Sequence, residues 1–184
     1  TIHSNESQLK ILNYILEKRS TVITQGVAVG DKISSGKVKV LESMKEYEKF
    51  QEGDILVTEM TTPDWEPIMK IASAIITNKG GRTCHAAIVA RELGLNALVG
   101  CSNATEVIHD EDEVTVSCAE GETGFIYEGI LPFHIDELEL SKDLNLPVKV
   151  MLNVGNPECS FENSLIPNAG VGLARLEFIV SNYI

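Results

Sequence analysis

Long apolar runs and closely spaced cysteines are both missing from this 184-residue sequence. No stretch approaches the roughly 18 to 20 apolar residues that a membrane-spanning helix requires, and no basic-then-apolar leader opens the chain. The cysteines form neither a CxxC pair nor a cluster with histidine, which argues against a zinc site or a disulfide framework. They are Cys84, Cys101, Cys118 and Cys159. These absences predict a soluble protein of the reducing cytoplasm.

The chain also has too little positive charge for a polyanionic partner. Lysine and arginine number 15 against 27 aspartate and glutamate, a formal net charge of −12. We therefore expect neither nucleic acid nor an anionic membrane as a partner. The first 100 residues carry 12 basic and 12 acidic residues, so the whole excess of negative charge lies from Cys101 onward. Between Lys70 and Gly94 the balance is reversed, with four basic residues against one acidic, which indicates a place for an anion.

The two ends of the chain differ in pattern from its centre. From Glu6 to Lys18 apolar residues recur at helical spacing, which predicts an amphipathic entry helix. The segment Phe133–Leu146 is acidic and without a clear strand pattern, which is typical of a linker. After it, the apolar run Val148–Leu152 predicts a strand that opens a new unit.

The centre alternates short strands with a few helices. Thr21–Leu41 alternates β-branched and polar residues between turn glycines, which predicts two or three strands. Further strands are predicted over Asp54–Thr58, Ala74–Thr77, Ala97–Gly100, Glu113–Ser117 and Gly124–Tyr127. One helix is expected to begin near Pro67 and another to span Cys84–Leu93, closed by Gly94. This order indicates a mixed α/β domain.

A possible site lies where a strand, two glycines and a helix follow one another. Gly80 and Gly81 turn the chain so that His85 falls in the first helical turn, where free N–H groups and the helix dipole favour an anion. Arg82 adds a planar donor suited to phosphate. A histidine with a pKa near ~6.5 is largely neutral at cytoplasmic pH and can act as a nucleophile. Two other interpretations remain open: a capping or packing histidine, and a turn that simply binds a phosphorylated ligand.

The run TNKGGRTCHAAIVARELGLNALVG resembles the phosphohistidine signature of the phosphoenolpyruvate (PEP)-utilising enzyme family. Pyruvate phosphate dikinase and enzyme I of the sugar phosphotransferase system usually have serine before the histidine. Cys84 and the upstream TTPDWEPIMK instead favour the branch that forms PEP from pyruvate, ATP and water. The segments VKVMLNVGNPECSF and GVGLARLEFIV are similar to the opening of that branch's PEP/pyruvate-binding barrel, so the likeness spans nearly the whole chain.

The resemblance implies a swivelling β/β/α phosphohistidine domain that carries a phosphoryl group between two distant sites. The expected segments are a linker helix over 1–20, the swivelling domain over 21–132, a linker over 133–147 and the truncated start of a (β/α)8 barrel over 148–184. In the family, an ATP-grasp domain loads the histidine from ATP and the barrel unloads it onto pyruvate, giving AMP, PEP and phosphate. Mg²⁺ is expected in the full enzyme and not in this chain.

The resemblance also assigns roles to individual residues. His85 is the phosphorylated nucleophile, and the phosphate is expected to be steadied by Gly80, Gly81, Arg82 and Thr83. Thr83 is expected to cap the helix and matches the threonine that a regulatory kinase/phosphorylase modifies in this family. Arg175 matches the barrel arginine that grips the phosphate of PEP.

Both ends of the chain suggest a piece of a longer protein. The sequence lacks an initiator methionine and stops within the apolar run LARLEFIVSNYI. We therefore expect the chain alone to be inactive. Two alternatives remain: the phosphohistidine domain of pyruvate phosphate dikinase or enzyme I, and a non-catalytic module that binds a phosphorylated ligand.

Overall fold

The computed structural model describes residues 10–139, 147–154, 164 and 167–174, which fall into two compact units. One unit spans Asn13–Asp136, and the other draws on Thr1–Leu12 and Glu137–Ile184. The strands are β1 (Lys10–Leu16), β2 (Val22–Val29), β3 (Ile33–Val40), β4 (Ile55–Thr58), β5 (Ala74–Thr77), β6 (Asn96–Val99), β7 (Glu113–Ser117), β8 (Thr123–Glu128), β9 (Phe133–Glu139), β10 (Leu152–Val154) and β11 (Val171–Ala174). The helices are α1 (Glu66–Met69), α2 (His85–Leu93) and α3 (Ala104–Val107), with 3₁₀ turns over Met44–Lys49 and Pro63–Trp65. The expected mixed α/β class is confirmed. Among the described residues, no helix is both long and apolar enough to cross a membrane.

Strands β2 to β8 close into a barrel in the order β2-β6-β5-β4-β3-β7-β8. Strands β3, β4, β5 and β6 run parallel to their neighbours within this group, and the other pairs are antiparallel. Every residue of β4, β5 and β6 is buried, as expected for parallel strands that are covered on both faces. The carboxyl ends of these three strands therefore lie at one edge of the barrel.

Alternate side chains of the parallel strands enter two different cores. In β4, Ile55 and Val57 belong to the core that fills the barrel, whereas Leu56 belongs to the core beneath the helices. The outer core joins Leu56, Ile75 and Val99 to buried residues of α1 and α2. Because apolar area is removed from water on both faces, this side of the barrel is a firm support for α2.

Helix α2 begins and ends close to its predicted limits. Gly94 follows it with φ of +65°, a left-handed conformation that closes the helix. The helix buries small apolar residues against the sheet: Ala86, Ala87, Val89 and Ala90. Leu93, the last residue of the helix, is 37% exposed.

The amphipathic helix predicted over Glu6–Lys18 is wrong where the structure describes that segment, because β1 occupies most of it. The linker predicted over Phe133–Leu146 likewise contains a strand, β9, which pairs with β1. Tyr14 of β1 packs against Phe133 of β9 with ring centroids 6.0 Å apart. Apolar spacing over one or two turns suits either structure, and pairing between segments far apart in sequence decided the outcome.

The strand predicted over Val148–Leu152 is displaced along the chain. β10 begins at Leu152 and pairs in parallel with β11. Val148 is 70% exposed and Met151 48% exposed, so much of this apolar run lies at the surface. The domain limits 1–20, 21–132, 133–147 and 148–184 stay predictions.

Candidate functional site

His85 is the first residue of α2 and is half-buried. The residue before it, Cys84, has extended backbone angles (φ −73°, ψ 163°) and makes no side-chain capping hydrogen bond. The expectation that Thr83 caps the helix is therefore wrong, because the chain enters the helix one residue later; Thr83 itself is exposed. Because no side chain among the described residues caps the helix, the N–H groups of its first turn can bind an anion beside the imidazole ring.

A buried threonine holds one nitrogen of this ring. Thr61 Oγ1 lies 3.0 Å from His85 Nδ1, and Thr61 is 6% exposed. This is the one hydrogen bond of His85 within the described residues, so its Nε2 has no protein partner there. The imidazole is thus held at one nitrogen and open at the other.

No local motif marks Thr61 as part of the site, although a general rule about parallel sheets points to it. Thr61 lies in the loop after β4, and His85 follows the loop after β5, the parallel neighbour of β4. Loops that leave the carboxyl ends of adjacent parallel strands come together at one edge of a sheet. Applied to the predicted strands, that rule predicts that the loop containing Thr61 and Thr62 lies close to His85.

The glycine pair has two different structural roles. Gly80 has φ of +120°, and a Cβ on it would lie 2.7 Å from Cys84 Sγ. A side chain at Gly80 is therefore excluded by both backbone strain and space. A Cβ on Gly81 would meet nothing within 4 Å, so this residue leaves open space beside the turn. Gly100, at the end of β6, approaches the same turn closely, since its Cβ would lie 2.9 Å from the Gly80 carbonyl oxygen.

Arg82 is paired with a carboxylate in this structure. Its Nη2 lies 3.2 Å from Glu122 Oε1, and both side chains are exposed. The Arg82 carbonyl oxygen accepts a hydrogen bond of 2.7 Å from Arg91 Nη1. The backbone of Arg82 is thus held by a side chain of α2. The Arg82 guanidinium instead pairs with Glu122, in the turn before β8.

A buried asparagine joins the loops that carry His85 and Thr61. Asn78 Nδ2 donates to Glu59 Oε2 (2.7 Å) and to Thr105 Oγ1 (2.6 Å), and Asn78 Oδ1 accepts from the Thr105 N–H (3.1 Å). Lys79 Nζ pairs with Glu59 Oε1 at 2.9 Å. Hydrogen bonds from Lys79 and Asn78 lower the pKa of the Glu59 carboxyl. This network fixes the path of the chain on both sides of the site.

Three free cysteines are described, and only Cys84 adjoins the histidine. Burial raises the pKa of the Cys101 and Cys118 thiols to about 12, so both are unreactive as nucleophiles. Within the ranges described above, no three His, Cys, Asp or Glu side chains form a group that could hold a metal ion. Arg175 lies outside the described residues.

Comparisons with known proteins bear on this site. Residues 50–121 match the family model described as "PEP-utilising enzyme, mobile domain". The chain is 53% identical to phosphoenolpyruvate synthase of Aquifex aeolicus (strain VF5) and of Pseudomonas aeruginosa (strain UCBPP-PA14), covering 100% of this chain and 22% and 23% of those proteins. It is 54% identical to phosphoenolpyruvate synthase of Escherichia coli (strain K12), over 93% of this chain and 22% of that protein. The chain thus spans about a fifth of the length of these relatives.

Proposed function

This chain belongs to the PEP-utilising enzyme family, and we propose that it carries a phosphoryl group on His85 within a phosphoenolpyruvate synthase. The observation that supports the proposal most directly is the ring geometry. Nδ1 is engaged by Thr61 and Nε2 is open, beside free N–H groups at the start of α2. Phosphoryl transfer requires a nucleophile that is held in position and accessible to the donor. Here Nδ1 would hold the ring in position and Nε2 would be the accessible atom.

The hydrogen bond to Thr61 can be made by the reactive tautomer. If Nδ1 carries the proton, it donates to Thr61 Oγ1, and Nε2 keeps a lone pair in the plane of the ring. That lone pair attacks the phosphorus of the donor. An N–P bond forms while the P–O bond to the leaving group breaks, and the leaving oxygen keeps the electron pair. The proton stays on Nδ1 throughout, so no general base is needed at His85.

The phosphoryl group on Nε2 requires compensation for its negative charge. The first-turn N–H groups of α2 supply part of it, and the open turn at Gly80 and Gly81 lets the backbone approach closely. Arg82 supplies a full positive charge once it turns toward the phosphate. In the full enzyme, an ATP-grasp domain would load His85 from ATP and a PEP/pyruvate barrel would pass the group to pyruvate, the net products being AMP, PEP and phosphate. Arg175 would grip PEP in that barrel, and Mg²⁺ would be held by domains outside this chain.

Thr83 is the proposed regulatory position. It is exposed and lies two residues before His85, so a modifying kinase/phosphorylase can reach it. A phosphate dianion there would repel the incoming phosphoryl group and compete for the same N–H groups and for Arg82. Modification would therefore switch off loading of His85 without changing the fold.

The test uses the full-length parent enzyme with Mg-ATP labelled at the β-phosphate, without added inorganic phosphate. Label that is acid-labile and base-stable is expected on the wild type and absent from His85→Asn. His134→Asn is the matched control, because His134 lies outside the site, and it should label like the wild type. Mass spectrometry should place the group on His85 at Nε2.

Each alternative gives a different result in this experiment. Label that comes only from PEP would indicate enzyme I, and a requirement for inorganic phosphate would indicate pyruvate phosphate dikinase. If His85→Ala keeps its affinity for a phosphorylated ligand and no phosphohistidine ever forms, the chain is a binding module. Modification of a residue other than His85 would end the carrier proposal.

A further inference from the structure

We infer that Glu122 is a positioning residue, which holds the Arg82 guanidinium to one side of α2 until a phosphoryl group on His85 draws it away. The inference rests on the proposed carrier function and extends it to a residue outside the signature motif. Glu122 lies in the turn before β8, 40 residues beyond Arg82, and reaches it through an ion pair of 3.2 Å. The pair gives Arg82 an anionic partner when the histidine carries none.

The barrel order shows that Arg82 and His85 are held in different directions. His85 contacts Thr61, which follows β4, whereas Arg82 contacts Glu122, which precedes β8. Between β4 and β8 on the side that α2 covers lie β5, β6 and β2. The partners of the two side chains thus lie on opposite sides of the strands that α2 covers. A phosphate on Nε2 would compete with Glu122 for the Arg82 guanidinium.

The backbone can stay in place while the side chain moves. Arg91 holds the Arg82 carbonyl oxygen, and the Cys84 N–H donates to the Gly81 carbonyl oxygen at 3.0 Å. Gly81, next to Arg82, leaves open space on the turn. On the other side of the pair, the Glu122 carbonyl oxygen accepts from the Ala28 N–H at 3.0 Å, so the backbone of Glu122 is also fixed. Only the Arg82 side chain has to turn.

The exposure of the pair sets its strength. The Arg82 side chain is 53% exposed and that of Glu122 88% exposed, and ion pairs of this kind contribute little in water. A phosphoryl group offers more charge and several acceptor oxygens for a planar guanidinium. The exchange from carboxylate to phosphate is therefore favourable, and Glu122 acts as a weak competitor for Arg82.

The experiment compares wild type and Glu122→Gln in the full-length parent enzyme, after labelling with β-labelled ATP and removal of the nucleotide. Without its competitor, Arg82 should stabilise the phosphohistidine more, and the lifetime of the label should rise about two- to five-fold at low ionic strength. The gain should shrink at high salt, since exposed charges are screened. In an Arg82→Gln background, which should itself shorten the lifetime, Glu122→Gln should have no effect.

Glu128→Gln is the matched control. It removes one negative charge from β8, the strand that follows Glu122, and Glu128 has no ion pair with Arg82. The label of this variant should behave like that of the wild type. An unchanged lifetime in Glu122→Gln, an equal gain in Glu128→Gln, or a gain that persists with Arg82→Gln would each overturn the inference. The carrier proposal survives those three results and fails only if the wild type forms no label or His85→Asn still does.

Discussion

Two groups of polar side chains in the same barrel illustrate opposite uses of hydrogen bonding. Near β3, Lys39 Nζ contacts both Asp110 and Glu111, and the Lys39 side chain is only 13% exposed. At the carboxyl edge of β4 and β5, His85 has one hydrogen bond and one open nitrogen. In the first group the cation is paired with two carboxylates. In the second group Nε2 of His85 has no partner among the described residues, and we propose that it is the atom that reacts.

The two regions also differ in how their charges are paired. The hydrogen bond to Glu111 and the nearby carboxylates raise the pKa of Lys39, and the contact with Lys39 lowers the pKa of Glu111. Each group thus favours the charged state of the other. At the histidine, the neighbouring Arg82 is in an exposed pair that can be exchanged. The Lys39–Glu111 pair contributes to the stability of the fold, whereas the exposed Arg82–Glu122 pair can be exchanged for another partner.

The largest effect on stability is expected from replacing Asn78, which joins the loops around His85. Asn78→Ala leaves the Thr105 N–H and one oxygen of Glu59 without their partners in a 7% exposed position. Loss of about 2 to 4 kcal/mol in the free energy of unfolding is expected, measured by urea denaturation. Asn78→Asp should recover part of this loss by accepting from Thr105, although it places a carboxylate against Glu59. Equal stability of Asn78→Ala and wild type would show that the network is not supporting the site.

An intermediate effect is expected where the histidine is held. Thr61→Val keeps the shape of the side chain and removes the hydrogen bond to Nδ1, so the ring loses the contact that orients it. The rate of phosphohistidine formation in the full-length enzyme should fall about five- to ten-fold, since one neutral hydrogen bond contributes about 1 kcal/mol. The ¹⁵N chemical shift of Nδ1 should change, because its hydrogen bond is lost.

The neighbouring threonine is the control for that experiment. Thr62 Oγ1 hydrogen-bonds to Asp64 and not to His85, so Thr62→Val should leave both the rate and the imidazole shifts unchanged. If Thr61→Val also left them unchanged, the ring would not depend on its hydrogen bond for orientation.

The smallest effect is expected from the ion pairs of Lys39 with Asp110 and Glu111. Lys39→Met keeps the buried stem and removes the charge, so Tm should fall by at most a few degrees. Because the pKa of Glu111 is lowered from 4.5 in the folded state, its contribution is present above that value and is lost as pH falls through the folded pKa. The difference in Tm between wild type and Lys39→Met should therefore vanish at low pH. Lys37, which is 58% exposed with one contact at 3.5 Å, should matter less still. A difference that grows on acidification would contradict the assignment.

Local patterns were sufficient for the central strands and for α2. β4 and β5 follow from apolar runs that end at turn residues, and the limits of α2 follow from the glycines on each side. The errors lie at β1 and β9, where seven-residue segments suit more than one structure. Pairing with a partner more than 100 residues away stabilises a strand that the local spacing did not indicate.

The sequence by itself determined that a histidine stands at a helix start behind two glycines, because steric limits on φ at Gly80 and the start of a helix are local properties. Only the tertiary structure decided what surrounds that histidine. Thr61 and Glu122 lie 24 and 40 residues from their partners, and closure of the barrel brings them there. Which nitrogen of the ring is open, and which anion holds the arginine, depend on the order of strands around that barrel.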